Sequence, residues 1–289
     1  MKPPPFEYLR AESVTDVWNA LDQGDDVKVI AGGQSLVPLL SLRLASPSLL
    51  VDIGGLDELK GVQCDGQTLR LGALTRHVEV ETHPLVSVHA PLLACAASWV
   101  AHPQVRNRGT LGGSVAHGDS AAELPAALLA LDAVVIASSR EGQRRIKASD
   151  FFASLFTTVL APGELVSAVE VAVQPALSSW GFEEFARRRG DYAIGGAAVY
   201  AERHSDGRCK TVRAGLIAAG PTPRLAPCVS ERMTDQVIHA AIISDVVEEA
   251  MQQVMTSANV HASSDYRKTI VAEMLRRALT SAFTRDEAA

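Results

Sequence analysis

Cysteine is scarce and scattered. Cys64, Cys95, Cys209 and Cys228 are the chain's whole supply. They form no CxxC pair and no Cys/His cluster at zinc-ligand spacing, and they lack the tight four-cysteine spacing that holds an iron–sulfur cluster. They read as reduced packing thiols, and we expect no metal centre in this chain. Long apolar runs are also missing: nothing approaches the ~18–20 residues that span a bilayer. The opening MKPPPFEYLR carries prolines where a secretory leader would have its apolar core. The expectation is a cytoplasmic protein with no transmembrane segment. Basic residues are outnumbered, 27 Lys+Arg against 33 Asp+Glu, for a net charge of −6, which argues against the basic face that nucleic acid requires. There is no internal repeat, no low-complexity tract, no GxGxxG fingerprint and no GxxxxGK[ST] loop. What is present is a globular composition, 47% hydrophobic and 21% charged. At roughly 100–200 residues per domain, the length predicts about two domains.

Periodicity gives the organisation. Val14, Val17, Trp18 and Leu21 fall at helical spacing behind a Ser13 N-cap. Residues 27–30 and 49–53 read as strands, with the turn Ala31-Gly32-Gly33-Gln34-Ser35 between them. Residues 69–74, 134–137 and 165–173 read as further strands, and 91–100 and 121–131 as helices, with Pro125 tolerated in the first turn of the latter. The pattern stops at 175–180, a boundary. Beyond it, 182–187, 196–202 and 212–218 predict an antiparallel meander, with His204-Ser205-Asp206-Gly207 as a hairpin turn. Helices follow over 237–255 and 265–283. This is a second unit of α+β type.

Two glycine pairs, Gly32-Gly33 and Gly112-Gly113, are each followed by Ser and placed near a strand end. Without Cβ atoms the backbone can approach a phosphate closely, and successive N–H groups can converge on its oxygens. One such turn is more often an ordinary turn; two in one domain suggest two walls of one pyrophosphate site. Glu123 can stabilise a helix N-terminus or accept hydrogen bonds from ribose or ribityl hydroxyls. Arg106 and Arg108 are a solvated basic face, phosphate partners, or braces of the loop.

Ala31-Gly32-Gly33-Gln34-Ser35-Leu36 and Gln104-Val105-Arg106-Asn107-Arg108-Gly109-Thr110-Leu111-Gly112-Gly113-Ser114 resemble the two signature loops of the FAD-binding medium subunit of molybdenum hydroxylases, the xanthine dehydrogenase/carbon monoxide dehydrogenase family. The run from Ala116 through Glu123 to Ala126 is similar to that family's continuation. So are Arg187-Arg188-Arg189-Gly190-Asp191-Tyr192-Ala193 and Ala219-Gly220-Pro221-Thr222-Pro223-Arg224. The resemblance runs in order through essentially the whole chain. It implies an α+β protein: residues 1–177 as an FAD-binding domain of vanillyl-alcohol-oxidase (PCMH) type, with subdomains of about 1–56 and 57–177, and 178–289 as a C-terminal domain like that of CO dehydrogenase flavoproteins. It implies that Val29, Ile30, Ala31, Gly32, Gly33, Gln34, Ser35 and Leu36 wrap the FAD diphosphate from one side and Thr110, Leu111, Gly112, Gly113 and Ser114 from the other. Glu123 then lies near the adenosine or ribityl region, Leu160 packs on the isoalloxazine, and Tyr192 covers another part of that ring. On residue type alone, Leu160 and Tyr192 read equally as core residues. Two departures stand out. Glu183 and Glu184 occupy a stretch where some relatives carry a lysine, and the cysteine-rich insertion of one branch is absent.

The function implied is electron transfer. A large molybdopterin subunit hydroxylates the substrate, which an aromatic N-heterocycle would fit. A small [2Fe–2S] subunit relays electrons to the FAD here, and an external acceptor removes them, within a dimer of heterotrimers. No general acid or base is expected in this chain, because the chemistry belongs to the cofactor. The alternatives are a self-sufficient FAD oxidase of related fold and a degenerate scaffold. The first lacks an obvious polar catalytic set in the C-terminal stretch; the second is opposed by two intact glycine pairs.

Overall fold

A computed structural model describes residues 2–24 and 26–284. The first unit is a small parallel sheet. Strands β1 (Glu7–Arg10), β2 (Val27–Ile30) and β3 (Leu49–Asp52) lie in the order β1-β3-β2, with β3 central and its Leu49, Leu50 and Val51 buried. Helix α1 (Val14–Leu21) is started by a capping box: Ser13 Oγ accepts from the Asp16 amide at 3.3 Å, and Asp16 Oδ2 accepts from the Ser13 amide at 2.9 Å. Its Val17 and Ala20 are buried against the sheet. Helix α2 (Leu36–Ser41) follows the first glycine pair.

The second unit carries a five-stranded antiparallel sheet. It comprises β4 (Val62–Cys64), β5 (Thr68–Gly72), β6 (Val134–Ser139), β7 (Gly142–Lys147) and, after a two-stranded ribbon of β8 (Phe152–Ser154) and β9 (Thr157–Thr158), β10 (Leu165–Ala172). The order is β4-β5-β10-β6-β7. Between β5 and β6 come α3 (His77–Thr82), α4 (Pro84–His89), α5 (Pro91–Trp99), α6 (Pro103–Arg106), α7 (Leu111–His117) and α8 (Glu123–Ala130), and α9 (Ala148–Phe151) follows β7. Every residue of α8 is buried, as expected of a helix apolar on all sides.

The C-terminal unit is an antiparallel meander of β11 (Ser178–Phe185), β12 (Gly195–Arg203), β13 (Cys209–Ile217) and β14 (Arg224–Leu225), with α10 (Pro227–Met233), α11 (Ala240–Gln253) and α12 (Ser264–Thr284). The period-2 alternation of a strand divides β12 between two cores. Ala197, Val199 and Ala201 pack with Met233, Val246 and Leu275 of the helices. Ala198 and Tyr200 pack with α5 and α8 of the second unit. The contact is close: a Cβ on Gly215 would collide with the Ala126 carbonyl of α8, and Arg213 Nε donates to Ala130 O at 3.0 Å.

Three details differ from the sequence reading. The boundary segment at 175–180 already contains the start of β11, so Trp180 lies in the sheet. Gly112 and Gly113 are not in a turn after a strand; they form the first turn of α7. The short elements β1, β4 and α10 have too few residues to show a period.

Candidate functional site

A cleft of about 690 Å³ opens between the first and second units, with residues 190–192 of the C-terminal unit also in its lining. That volume lies within the ~300–1,000 Å³ of small-molecule sites. Val29, Ile30, Ala31, Gly32, Gly33, Gln34, Ser35 and Leu36 line one wall. Gly33 takes φ +70°, a left-handed conformation suited to glycine, and Gln34 Nε2 donates back to Gly32 O at 3.0 Å. The result is a turn in which the amides of Gly32, Gly33, Gln34 and Ser35 have no protein acceptor among the described residues. Successive unengaged amides around a left-handed residue form an anion-binding concavity.

Thr110, Gly112, Gly113 and Ser114 line the opposite wall, but this segment works differently from the sequence expectation. Its amides are consumed within the protein. Leu111 N donates to Thr75 O at 2.9 Å and Gly112 N to Ala73 O at 2.8 Å, while Gly113 N donates to the N-cap hydroxyl of Thr110 at 3.2 Å. Neither Gly112 nor Gly113 has positive φ. Gly112 is bare because a Cβ would collide with Ala73, 2.8 Å from its Cα. Gly113 is exposed on the cleft side, and there a Cβ would meet only Thr110 Oγ1, at 2.7 Å. Leu111, expected at the site, points the other way and is fully buried in the core of the second unit.

The two walls touch. A Cβ on Gly32 would collide with the Arg108 carbonyl oxygen and lie 2.8 Å from Gly109 Cα. The second wall is braced from behind by residues that the sequence reading did not single out. Arg76 donates through Nη1 to the Arg108 carbonyl. His77 N donates to Gly109 O at 3.0 Å, and its ring Nε2 donates to Thr110 O at 2.9 Å. A carbonyl only accepts, so Nε2 carries the proton; burial holds the His77 pKa down to about 4, and the ring is neutral. Arg106 is a brace and makes no use of its charge in the cleft: Nε pairs with Glu81 Oε2 at 2.8 Å, and Nη1 donates to the carbonyls of Val100 and Ala101.

Glu123 starts α8 and lines the cleft, 9% exposed. Burial pushes its carboxyl well above the ordinary carboxylate range, and Asp119 adds to the effect. Glu184 of β11 is buried beside it, with Oε2 lacking a hydrogen-bond partner among the described residues. Burial raises its pKa first and the Glu123 charge second, against a lowering by Arg189. Leu160 and Tyr192 both line the cleft; Leu160 is half-buried, whereas Tyr192 is 78% exposed and no core residue. Phe156, at φ +52° in the β8–β9 turn and stacked on His117 with ring centroids 5.0 Å apart, adds an aromatic face with no periodic signal in the sequence. The cleft thus offers amides for an anion, a carboxyl for hydroxyls, and apolar faces for a flat ring. No group of three or more His, Cys, Asp or Glu among the described residues is placed to hold a metal ion.

Comparison with known proteins agrees with this chemistry. Residues 4–173 match the FAD binding domain in molybdopterin dehydrogenase, and residues 180–282 match the CO dehydrogenase flavoprotein C-terminal domain. The chain is 44% identical over 286 residues to the 6-hydroxypseudooxynicotine dehydrogenase complex subunit alpha of Paenarthrobacter nicotinovorans, covering 99% of this chain and 97% of that one. Among solved structures it superposes on a carbon monoxide dehydrogenase chain from Hydrogenophaga pseudoflava with a TM-score of 0.96 at 34% identity, 99% of each chain covered. It superposes on a quinoline 2-oxidoreductase chain from Pseudomonas putida 86 with a TM-score of 0.92 at 35% identity, again with 99% of each covered. The chain therefore belongs to the carbon monoxide dehydrogenase/xanthine dehydrogenase medium-chain family and is the FAD-binding oxidoreductase subunit of a molybdenum hydroxylase complex.

Proposed function

We propose that this chain passes electrons from [2Fe–2S] clusters on a small partner subunit to an external acceptor, while a large partner subunit hydroxylates the substrate at a molybdopterin centre, the whole forming a dimer of heterotrimers. An aromatic N-heterocycle is the substrate class; relatives named for 6-hydroxypseudooxynicotine and quinoline support it. The observation that carries the cofactor's place is the run of four unengaged amides, Gly32 to Ser35, facing the bare Gly113 across the cleft. Bound FAD supplies a group that takes up and releases electrons. The amides of Gly32 to Ser35 would hold its diphosphate, with Gly113 and Ser114 closing the opposite side. Glu123 would hold sugar or ribityl hydroxyls, and Leu160 and Tyr192 would flank the ring. The same reading divides the chain into 1–177 and 178–289, which the separate sheets support.

The test is Gly113→Asp in the intact complex. A carboxylate on the cleft side of α7 repels a diphosphate at close range. FAD content is expected to fall to a small fraction of one per chain. Substrate hydroxylation drained by an artificial dye is expected to survive, and turnover with the physiological acceptor to collapse. Full FAD occupancy with normal acceptor turnover would remove the diphosphate from this wall.

A further inference from the structure

We propose that Arg267, on the C-terminal helix α12, is the positioning residue for Tyr192, so that the last helix of the chain sets one wall of the flavin site. The proposal rests on the FAD reading above. Tyr192 sits in the β11–β12 connection, which brings Gly190, Asp191 and Tyr192 into the cleft. Its side chain is largely exposed, so protein packing around the ring does little to place it; the backbone must.

That backbone is held from two directions. Toward α5 of the second unit, the Arg189 guanidinium lies 4.7 Å from the centre of the Trp99 ring, a cation–π contact. Gly190, at φ +89°, packs so closely on His102 that a Cβ would lie 2.9 Å from Ala101 O and 2.6 Å from His102 Nδ1. From the other side, Arg267 Nη1 donates to Ile194 O at 2.9 Å and to Ala193 O at 3.4 Å, the two carbonyls immediately after Tyr192. Ile194 N completes the hold by donating to Phe185 O at 2.8 Å.

Arg267 is 7% exposed, its Nε has no hydrogen-bond partner, and it makes no ion pair among the described residues. A buried cation without a counter-charge is a poor way to stabilise a fold. Its placement is explained by the two carbonyls it grips. The helix that carries it cannot drift, because glycines let it press onto the sheet. A Cβ on Gly195 would lie 2.7 Å from Val271 Cγ2, and one on Gly181 would collide with the Ala278 carbonyl. Tyr192 is therefore the apex of a loop clamped between the FAD-binding domain and α12.

The experiment compares Arg267→Met, Arg267→Lys, Tyr192→Ala and the double variant Arg267→Met/Tyr192→Ala with the wild-type complex. Two readouts are taken at equal FAD occupancy: amide hydrogen exchange over residues 190–195, and emission of the bound flavin, which a ring held against it quenches. Arg267→Met is expected to speed exchange on the order of tenfold, the loss of hydrogen bonds from a charged donor. It is also expected to raise emission to the level of Tyr192→Ala, with no further rise in the double variant. Arg267→Lys should recover part of both. Wild-type emission in FAD-loaded Arg267→Met, or effects that add in the double variant, would overturn the proposal whatever happens to thermal stability. If Arg267→Met does not assemble, Arg267→Lys decides by the same two readouts. A wild-type complex without FAD would instead remove the flavin reading and the proposal's flavin clause with it; unchanged exchange in Arg267→Met would then overturn the clamp too, and faster exchange would support it.

Discussion

Gly32 is the residue on which the two walls of the cleft meet. Any side chain there presses on the Arg108 carbonyl, which Arg76 already holds from behind. Overpacking against backbone costs about 1–3 kcal/mol, and Gly32→Ala is expected to lose that much stability and most of its FAD, read by thermal melts and acid-released flavin. Gly113→Ala, which meets only the rotatable Thr110 hydroxyl, should retain more of both; equal losses would show that the loops do not touch as described. The carboxyl pair makes a second expectation. Glu123 and Glu184 both titrate above the ordinary value of 4.5 when folded, so above that pH the folded chain holds more protons than the unfolded one. Their stabilising contribution is complete below 4.5 and is lost as pH rises through the raised values. His77 works in the opposite sense: its folded pKa is about 4 against 6.5, so its contribution is present above 6.5 and is lost as pH falls toward 4. Above 6.5 the decline from the carboxyl pair stands unopposed by His77. Urea midpoints of the apo chain should fall with rising pH there, and Glu184→Gln should flatten the slope. An unchanged slope in Glu184→Gln would show the pair is not buried as described.

At the scale of elements, α7 is the part that reads least like itself. Its glycines and polar flanks have the composition of a turn, yet Thr110 caps it, with Oγ1 accepting from Gly113 N at 3.2 Å, and it runs to His117. The cap also places Gly113 and Ser114 on the cleft side. Thr110→Ala is expected to cost about 0.5–2 kcal/mol in denaturant unfolding and to weaken FAD retention, while Thr110→Ser should keep both; equal behaviour of the two variants would mean the hydroxyl does not matter. The elements that stood out in the sequence are those with enough residues for a period and a start signal. Ser13 before α1 is one, and the two long C-terminal helices are others. The strands β2 and β10 were legible from runs of branched residues.

At the scale of the molecule, the C-terminal sheet is shared. One face of β12 belongs to the core with α10 to α12, and the other belongs to the core of the FAD-binding domain. The C-terminal unit is therefore packed onto α8 and is not an appendage on a linker. At Gly215 the approach is so close that a Cβ would collide with the Ala126 carbonyl of α8. Gly215→Val should push β13 off α8. We expect a loss of several kcal/mol, in the range of severe core changes, together with faster proteolysis near residues 173–178. A melt within 1 °C of wild type, a negligible shift on the roughly 2–4 °C per kcal/mol scale, would show that the two units do not depend on this contact. No helix among the described residues is long and apolar enough to cross a membrane.

The fold class and the first glycine turn were legible because they are written locally, whereas the second glycine pair read as a turn and lies in the first turn of α7. A strand's branched run, a cap three residues before its partner, and a glycine pair beside a serine are each set within a few positions, and local sterics act at that range. The roles of the individual glycines were not legible, because each depends on what lies across the gap. Gly32 is bare for Arg108, Gly112 for Ala73 and Gly215 for Ala126, partners 76, 39 and 89 positions away in sequence. For the same reason nothing local marked His77 or Arg267, and Glu184 stood out only as a departure from the family pattern, with no hint of its burial. A buried histidine, an unpartnered carboxyl and a clamp on two carbonyls acquire their chemistry from desolvation and from neighbours that only the packed chain supplies.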